Sequence, residues 1–241
     1  MLRVFVPESQ RDGSRIRITG AELRHLRALR LGRGARVLVF DDRGNEHAAR
    51  IERLSDRAAE VLILVTHRPE RESPFDLVLA PALLKGTKMD VVVEKATEIG
   101  VRRIAPVICR NGVATGARIE RWQRIALAAA KQCGRTTLPA VDPPCALADV
   151  VRHPWSGLRL LAWEGEREHT LGALPGHATA AVVVVGPEGG FAPEEAEDAR
   201  AHGFATLALG PRVLRAETAA IVAAALCQHR WGDLSPVARL R

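Results

Sequence analysis

The chain of 241 residues is 47% hydrophobic and 26% charged, which is ordinary for globular proteins and enough for one large domain or two smaller ones. Its longest apolar stretch, residues 178–186 interrupted by Thr179, is far shorter than the ~20 residues of a membrane span, and Met1–Pro7 has no apolar core of signal-peptide length. The formal net charge of +7 favours a polyanionic partner, and we expect a cytoplasmic protein that does not contact membranes.

The positive charge is denser in the N-terminal part of the chain. Residues 1–70 hold 14 Arg, no Lys and 10 acidic residues. Arginine suits planar, bidentate contacts with phosphate. A general bias toward Arg explains the composition equally well, since the whole chain contains only four Lys.

The first 70 residues have mostly a β pattern. The segment Asp41–Asn45 has the residues of a turn between two strands. The predicted strands are Leu2–Val6, Arg15–Ile18, Ala35–Phe40, His47–Arg53 and Ala59–Val65. A small β-barrel with one helix would close these elements, and such barrels often bind RNA.

The spacing predicts one helix in this part, from Gly20 to about Leu31. Thr19 and Glu22 fit a capping box, and Gly32 follows as a stop. Three arginines spaced three apart would share one side of the helix: Arg24, Arg27 and Arg30. That side is either an RNA-binding face or a solvated basic surface.

A polar segment with two prolines, residues 66–74, is predicted to link a domain of residues 1–70 to a domain of residues 74–241. Beyond it strands alternate with helices, which favours an α/β domain with a mainly parallel sheet. The predicted strands are Asp76–Ala80, Arg103–Ile108, Leu158–Trp163, Ala180–Val185 and Ala205–Leu209. The predicted helices, each followed by a glycine suited to a left-handed end, are Lys88–Ile99 with Gly100, Ile119–Cys133 with Gly134, Pro193–His202 with Gly203, and Ala216–Trp231 with Gly232.

Neither cysteine nor histidine forms a metal-binding pattern. The four cysteines contain no CxxC pair, and the eight histidines contain no H-E-x-x-H motif. We therefore expect reduced thiols and no metal site.

A first loop of functional interest, Gly186–Gly190, follows the apolar run Val182–Val185. This order is typical of a buried parallel strand, and ligands of open α/β sheets bind at the carboxyl ends of such strands. Its three glycines let a ligand approach the main chain closely. Glu188 would repel phosphate and no P-loop pattern is present, so a positive or neutral ligand such as S-adenosylmethionine fits better. A tight strand-to-helix turn explains the same residues without a ligand.

A second loop breaks at Gly210-Pro211 and brings Arg212 and Arg215 close to the start of the last helix. Glu217 in the first turn of that helix complements the helix dipole, which is a sufficient structural reason for it. The run 219–226 is nearly all small or apolar, so this helix should be buried, and close packing at a dimer interface would explain it.

Together the two loops resemble the signature loops of the bacterial 16S rRNA uracil-N3 methyltransferases of the SPOUT class, and the resemblance runs the full length of the chain. The other segments that carry it are Lys88-Met89-Asp90, Glu94–Val101, Gln132–Arg135, Arg3–Phe5, His25-Leu26 and Leu29-Arg30.

The resemblance implies a knotted SPOUT-type α/β domain with a mainly parallel sheet, preceded by a small PUA-like β-barrel domain. Ordinary topology rules argue against a knot, so only the resemblance implies it. It also implies S-adenosyl-L-methionine as cofactor, a homodimer formed through the C-terminal domain, and a uridine in 16S rRNA of the small ribosomal subunit as substrate. The segment Glu164–Glu166 varies among relatives, so the resemblance does not assign roles to the residues that follow the strand Leu158–Trp163 at the pocket.

Loop position and resemblance together identify candidate site residues. The catalytic candidates are Arg215, Glu188 and Glu217. The cofactor-binding candidates are Leu161, Gly186, Pro187, Glu188, Gly189, Gly190, Leu209, Gly210, Arg212, Val213, Leu214 and Thr218. The RNA-binding candidates are Arg3, Arg24, Arg27 and Arg30.

Methyl transfer to uracil N3 needs alignment of two atoms and an anionic nitrogen. Arg215 would stabilise the developing anion, with Arg3 and Arg30 as further candidates, and Glu188 or Glu217 would accept the proton. Aromatic residues are only 4% of the chain, so we expect phosphate and shape contacts with an extruded base instead of a stacking platform.

Two other functions stay open at this stage. One is a related SPOUT enzyme that modifies ribose or another base. The other is a non-catalytic assembly factor that binds rRNA, although the intact loops argue against it. Cofactor binding would separate the enzyme from the assembly factor.

Overall fold

A computed structural model describes residues 1–112 and 116–234. The chain forms two compact units, of which the first comprises Met1–Glu72 together with Ala130–Leu138, and the second comprises the remainder. Within the described ranges, no helix combines the length and the apolar character needed to cross a membrane.

The N-terminal unit is a six-stranded sheet with one helix. Its elements are β1 (Leu2–Phe5), β2 (Arg11–Asp12), β3 (Arg15–Ile18), α1 (Gly20–Ala28), β4 (Arg36–Phe40), β5 (Glu46–Leu54) and β6 (Ala59–His67). The strand order is β1-β4-β5-β6-β3-β2, and only the β1–β4 pair is parallel. No ladder among these described strands joins β1 to β2, so the sheet is open at that seam.

Strand β3 shows why this sheet has two different faces. Its sequence alternates Arg and Ile, with Ile16 and Ile18 buried and Arg15 and Arg17 exposed. Side chains of a strand point alternately to opposite faces, so the isoleucines enter the core while the arginines face solvent. Leu23 and Leu26 of α1 pack into the same core, where both are nearly inaccessible.

The predicted helix in this unit is shorter than expected, and its predicted cap is absent. α1 ends at Ala28, and Thr19 makes no side-chain capping hydrogen bond. Glu22 instead pairs with Lys131, whose Nζ lies 2.8 Å from its carboxylate. The positive φ that follows the helix falls on Arg30, at 54°, and not on Gly32. The three arginines therefore do not share one helix, since Arg30 lies beyond its end.

The predicted turn at Asp41–Asn45 is confirmed. Asp41 Oδ1 accepts backbone N–H bonds from Arg43 at 2.8 Å and Asn45 at 2.9 Å. Glu8 and His47 lie close enough to Asp41 to form a three-residue group of metal-ligand type. The Asp41 oxygens already accept hydrogen bonds from residues 43 and 45, and His47 Nδ1 lies 2.9 Å from Thr66 Oγ1, so hydrogen bonding accounts for this cluster.

The predicted linker is partly anchored within the N-terminal unit. Strand β6 continues to His67, and the two residues that follow Glu70 form ion pairs. Glu72 accepts hydrogen bonds from the backbone N–H groups of Thr136 and Thr137 at 2.8 and 3.1 Å, and it pairs with the buried Arg135 at 2.9 Å. The segment Ala130–Leu138 thus belongs to this unit through charge-assisted hydrogen bonds.

The second unit contains a six-stranded parallel sheet of order β10-β8-β7-β13-β12-β14, together with a two-stranded pair, β9 and β11. Its strands are β7 (Asp76–Pro81), β8 (Arg103–Ile104), β9 (Val107–Ile108), β10 (Ala140–Val141), β11 (Cys145–Ala146), β12 (Leu158–Ala162), β13 (Ala180–Val185) and β14 (Ala205–Leu207). Its helices are α2 (Lys88–Ile99), α3 (Ile119–Cys133), α4 (Leu147–Arg152), α5 (Pro193–Ala201) and α6 (Ala216–Trp231), of which α3 runs into the segment assigned to the first unit.

Apolar side chains on both faces explain the continuous hydrophobic run of β13. Val183 and Val185 pack in a core that includes buried residues of α2 and α6. Val182 and Val184 pack in a second core with residues of α4 and α5. Helices therefore cover both faces of the sheet, as is usual for parallel sheets.

Two local expectations in this unit are wrong. The predicted strand Arg103–Ile108 is two short strands, because Pro106 between them has no N–H to continue a ladder. Gly232 has φ −104°, so it is not left-handed. A Cβ there would collide with Gln228 and lie 2.8 Å from Ser73 Oγ, so close packing is the reason for this glycine.

Candidate functional site

A cavity of about 520 Å³ lies at the carboxyl ends of three neighbouring parallel strands. Ala162, Val185 and Leu207, the last residues of β12, β13 and β14, all line it. Loops at the carboxyl ends of an open parallel sheet are the usual place for a ligand. The volume is within the ~300–1,000 Å³ range of small-molecule sites.

The first predicted loop, Gly186–Gly190, forms one wall of the cavity. Gly190 has φ +70°, and a Cβ on it would strike the carboxylate of Glu164. Asn111 donates from Nδ2 to the carbonyl oxygens of Gly189 and Gly190 at 3.4 and 3.3 Å. The Asn111 amide therefore holds the end of the loop, and all five loop residues line the cavity.

The second predicted loop forms the opposite wall. Gly210 has φ +109° and no atom within 4 Å of the position a Cβ would take. Arg212 and Val213 are exposed, Val213 at 79%. Arg215, the N-cap residue of α6, is also exposed and lines the cavity. For Arg212 and Arg215 no ion pair occurs with any described residue.

Lys88 joins two of the predicted catalytic carboxylates. Its Nζ lies 2.9 Å from Glu188 Oε1 and 3.6 Å from Glu217 Oε2. The hydrogen bond to Glu188 raises the pKa of Lys88 above its ordinary value. Although burial raises it, the hydrogen bond from Lys88 holds the pKa of Glu188 below its ordinary value. Both groups of this pair are therefore charged near neutral pH.

Glu217 has a different environment from Glu188. Its Oε2 is inaccessible to solvent and has no hydrogen-bond partner among the described residues. The ammonium of Lys88 is its nearest recorded cation. A buried carboxylate oxygen without a hydrogen bond is costly, so Lys88 is the group that compensates its charge.

The third wall is built by the segment after β12. Glu166 accepts hydrogen bonds from the Thr206 hydroxyl and from the backbone N–H groups of residues 167, 168 and 169. The Thr206 hydroxyl first, and the backbone N–H groups next, hold the pKa of Glu166 well below its ordinary value. Glu166 thus fixes its own loop against β14 as a carboxylate.

The structure brings most of the predicted site residues together. Those that line the cavity are Gly186, Pro187, Glu188, Gly189, Gly190, Leu209, Gly210, Arg212, Val213, Leu214 and Arg215. Glu217 is connected to them through Lys88. Thr218 is exposed and is not among the lining residues.

Leu161, one of the cofactor-binding candidates, is not among the residues that line the cavity. Leu161 is 0% exposed and packs in the core on the side of α4 and α5. Its neighbour Ala162, together with Trp163, lines the cavity. Strand alternation and the end of β12 at Ala162 explain the difference, because the ligand-facing residues come at the end of the strand and not one residue earlier.

Arg3 has a structural role in place of the predicted RNA contact. Its guanidinium pairs with Glu46 at 2.7 Å and donates to the carbonyl oxygens of Ala130, Lys131 and Arg135. These five hydrogen bonds, two of them to Glu46, equal the donor number of a guanidinium, so Arg3 has no N–H left for a phosphate. Arg24 and Arg30 are exposed, and Arg27 pairs with Asp56.

Sequence reasoning missed the roles of Lys88 and Asn111. Lys88 belongs to a segment that carries the family resemblance, yet nothing in the spacing connects it to residues 100 or more positions away. Asn111 follows a short strand without a recognisable motif. Both become visible only when the fold brings their segments to the carboxyl ends of the strands.

Comparisons with known proteins agree with this architecture. A family model for an RNA methyltransferase domain matches residues 71–228, and a model for an RNA methyltransferase PUA domain matches residues 18–64. Ribosomal RNA small subunit methyltransferase E of Synechocystis sp. is 33% identical over 234 residues, which cover 92% of this chain and 76% of the relative.

Two solved structures match nearly the whole chain. Ribosomal RNA small subunit methyltransferase E of Neisseria gonorrhoeae, bound to S-adenosyl methionine, has a TM-score of 0.90 at 34% identity and covers 98% of this chain and 100% of its own. A Legionella pneumophila chain described as a methyltransferase, in complex with the cofactor SAM, has a TM-score of 0.90 at 32% identity, with 97% and 99% covered. The predicted SPOUT-type fold with a PUA domain is confirmed. The chain belongs to the RNA methyltransferase family of the ribosomal RNA small subunit methyltransferase E proteins.

Proposed function

We propose that this chain transfers a methyl group from S-adenosyl-L-methionine to N3 of a uridine in 16S rRNA of the small ribosomal subunit. The observation that carries the proposal is the cavity between two glycine-rich loops at the carboxyl ends of β12, β13 and β14, with Arg215 on its lining. The names of the relatives support the RNA substrate, and the two neighbours solved with the cofactor support S-adenosylmethionine.

The chemistry of the cavity suits this cofactor. Main-chain groups of Gly186–Gly190 and Leu209-Gly210 offer hydrogen bonds that an adenine can use, and the open space at Gly210 leaves room beside them. The lining carries both signs of charge, with the carboxylates of Glu164, Glu166 and Glu188 and the cations of Lys88, Arg167, Arg212 and Arg215. A ligand with a sulfonium, an ammonium and a carboxylate finds an opposite charge for each group there. When bound, S-adenosylmethionine supplies an activated methyl group on a sulfonium.

Arg215 is the proposed electrostatic catalyst. Its guanidinium lines the cavity and has no ion-pair partner in the described part of the chain, whereas Lys88 is engaged by two carboxylates. A free cation beside the uracil carbonyl oxygens stabilises the negative charge that develops when N3 loses its proton. Arg212, on the same loop, is a second cation at this wall.

Between the two predicted proton acceptors, the geometry favours a positioning role for Glu188. Its lowered pKa makes it a weak base near neutral pH, because proton acceptance is best when the pKa is near the working pH. Glu217, the other predicted acceptor, does not line the cavity and its Oε2 is inaccessible to solvent, so its role is also to hold Lys88 in place.

The remaining assignments are part of the same proposal. Residues 1–70 act as a PUA-like RNA-binding domain, and residues 74–241 act as the methyltransferase domain. Two copies associate through the C-terminal domain, and the enzyme works in the cytoplasm on the small subunit without a resident metal.

A methylation assay tests the proposal directly. Purified protein, labelled S-adenosylmethionine and unmethylated small subunits are incubated, and the digested rRNA is analysed by mass spectrometry for N3-methyluridine. One methylated uridine is expected. Cofactor binding without N3-methyluridine would contradict the assigned base, and the absence of cofactor binding would favour the assembly factor.

The same assay tests Arg215. Arg215→Ala is expected to lower kcat by about 10²–10³-fold, the usual cost of removing one donor to a developing oxyanion, with an unchanged Kd for the cofactor. Near wild-type turnover in this variant would remove Arg215 from catalysis.

A further inference from the structure

The outer face of the N-terminal sheet carries arginines that the predicted RNA-binding set does not include. Strand register places Arg36 of β4 opposite Arg50 of β5, Arg50 opposite Leu62 of β6, and Leu62 opposite Arg15 of β3. The three arginines are exposed, while their neighbours in sequence, Val37, Ile51 and Ile16, are buried. We call Arg15, Arg36 and Arg50 the arginine row.

The pair Arg36–Arg50 is unfavourable in the absence of a ligand. Like charges directly opposite each other on antiparallel strands repel and destabilise the sheet. No ion pair links Arg36 or Arg50 to an acid among the described residues. An anion bound between the two guanidinium groups would attract both of them and offset their repulsion. The pair therefore indicates an anion-binding surface.

A broad groove of about 780 Å³ adjoins the row. Arg15, Arg33, Arg50 and Arg53 line it, together with the acids Glu52 and Glu60. Both acids pair with arginines of the groove, Glu52 with Arg15 at 3.5 Å and Glu60 with Arg53 at 3.8 Å. No acid of residues 1–112 or 116–234 forms an ion pair with Arg33 or Arg50. The groove therefore keeps an excess of positive charge.

The shape of this surface favours an extended polyanion. Three strand spacings of 4.7–4.9 Å separate β4 from β3, so the row extends about 14 Å across the sheet. No aromatic side chain belongs to the row or the groove lining, which argues against base stacking and against the aromatic anchors of protein interfaces. Guanidinium groups one and two strand spacings apart suit contacts with several phosphates of an RNA backbone.

We propose that the arginine row and the adjoining groove bind the phosphate backbone of the rRNA substrate. The inference rests on the proposed function and adds to it the surface that holds the RNA. This surface provides affinity and orientation but no base recognition, because phosphates are the same at every position.

The double variant Arg36→Gln/Arg50→Gln tests the proposal. Its binding to unmethylated small subunits is measured by filter binding between 50 and 200 mM salt, without cofactor. Loss of two phosphate contacts should reduce the slope of log K against log salt by about 1.4 to 1.8. The KM for small subunits should rise on the order of tenfold with kcat unchanged, since phosphate contacts act on binding. The variant should melt no lower than wild type, because the repulsion between positions 36 and 50 is gone.

The matched control is Arg43→Gln/Arg57→Gln, which removes the same charge from exposed positions outside the strands of this unit. It should keep a slope close to that of wild type. Equal slopes in the two double variants, or a fall in kcat with unchanged KM, would overturn the inference. If wild type methylates its uridine and the row variant binds like wild type, this inference alone fails. If the row variant shows the reduced slope of log K against log salt but wild type forms no N3-methyluridine, the proposed function fails. The inference that this surface binds RNA is then still supported.

Discussion

Lys88 organises the charge of the cavity at the scale of single residues. One ammonium contacts two carboxylates, Glu188 of the first loop at 2.9 Å and Glu217 of the first turn of α6 at 3.6 Å. This arrangement neutralises part of the negative charge, and it leaves Arg215 in the lining as a cation that pairs with no acid of the described chain. The separation of a paired cation from an unpaired one explains why Arg215, and not Lys88, is suited to stabilise an anionic substrate.

Replacing Lys88 with Met should raise the pKa of Glu188, because the hydrogen bond that lowers it is lost. The acid limb of the pH profile of kcat/KM should then move to higher pH. We expect kcat/KM at neutral pH to fall on the order of tenfold. Lys95→Met is the control, since Lys95 lies on the same helix but pairs with Glu94 and Glu98 outside the cavity. An unshifted acid limb in Lys88→Met would show that Lys88 does not hold Glu188 ionised.

Gly190→Ala tests the wall formed by the first loop. Gly190 has φ +70°, and an added Cβ would displace the Glu164 carboxylate, so the substitution should strain this loop and move a charged group of the neighbouring wall. Calorimetry should show a Kd for S-adenosylmethionine weaker by at least tenfold. Gly13→Ala has a similar φ of +56° with nothing within 4 Å of the added carbon. It should lose only the ~1–2 kcal/mol of a left-handed alanine and keep the wild-type Kd. Similar Kd values for the two variants would remove the Gly190–Glu164 contact from cofactor binding.

At the scale of elements, periodicity predicted the long, regular pieces and failed at the short ones. β13 and α2 have their predicted bounds because a continuous apolar run and a helical repeat with a terminal glycine are local signals. The strands β10 and β11 have only two residues each, and they are defined by their parallel pairing with β8 and β9. No periodicity can be read from two residues, so these strands could not be predicted from local sequence.

The candidate site shows the same division between local and distant information. Its two glycine loops were predictable, because Gly-Pro after an apolar strand is a local pattern. The contacts of Lys88 and Glu22 were not, because their partners lie 100 and 109 positions away. The predicted capping box at Glu22 failed for this reason, since a distant lysine competes with the backbone for the same carboxylate.

The ion pair of the half-buried Glu72 with the buried Arg135 should make the N-terminal unit sensitive to acid. Although burial raises it, Arg135 and the backbone N–H of Thr136 hold the pKa of Glu72 below its ordinary value. A group with a depressed folded pKa stabilises the fold above its unfolded pKa, and this contribution is lost as the pH falls through the folded pKa. Glu72→Gln should therefore cost about 1–3 kcal/mol at pH 7, and the difference from wild type should shrink below about pH 4.

Denaturant unfolding at a series of pH values measures this effect. Glu70→Gln is the control, because Glu70 is exposed and two residues away. A constant difference between Glu72→Gln and wild type from pH 7 to pH 3 would contradict the linkage.

At the scale of the whole molecule, distant segments of the chain complete each unit. Residues 130–138 belong with residues 1–72, although the second unit begins between them in sequence. The guanidinium of Arg3 contributes to this association through hydrogen bonds to the carbonyl oxygens of Ala130 and Arg135, which lie more than 120 positions away. Composition predicted a domain boundary at residues 70–74. It could not predict that residues 130–138 pack with the first unit.

The apolar residues of α6 bear on whether two copies of the chain associate. Its buried residues Ala220, Ala223, Ala224 and Cys227 lie within a narrow arc of the helix. At 100° per residue, Val222 lies about 200° from Ala220, on the opposite side, where a helix covered only by its own domain would carry polar residues. Val222 is nevertheless only partly exposed and apolar. We propose that this side of α6 belongs to the homodimer interface.

Val222→Asp should convert the dimer to a monomer, because a charge in an apolar interface is not compensated. Sedimentation equilibrium at micromolar protein should give about half the wild-type mass. Val65→Asp is the matched control, since it makes the same change at a valine of β6 that is 48% exposed, and it should leave the mass unchanged. Circular dichroism must show that Val222→Asp keeps its helical content, so that loss of association is separated from unfolding. A folded Val222→Asp protein with the wild-type mass would place the interface elsewhere on the C-terminal domain.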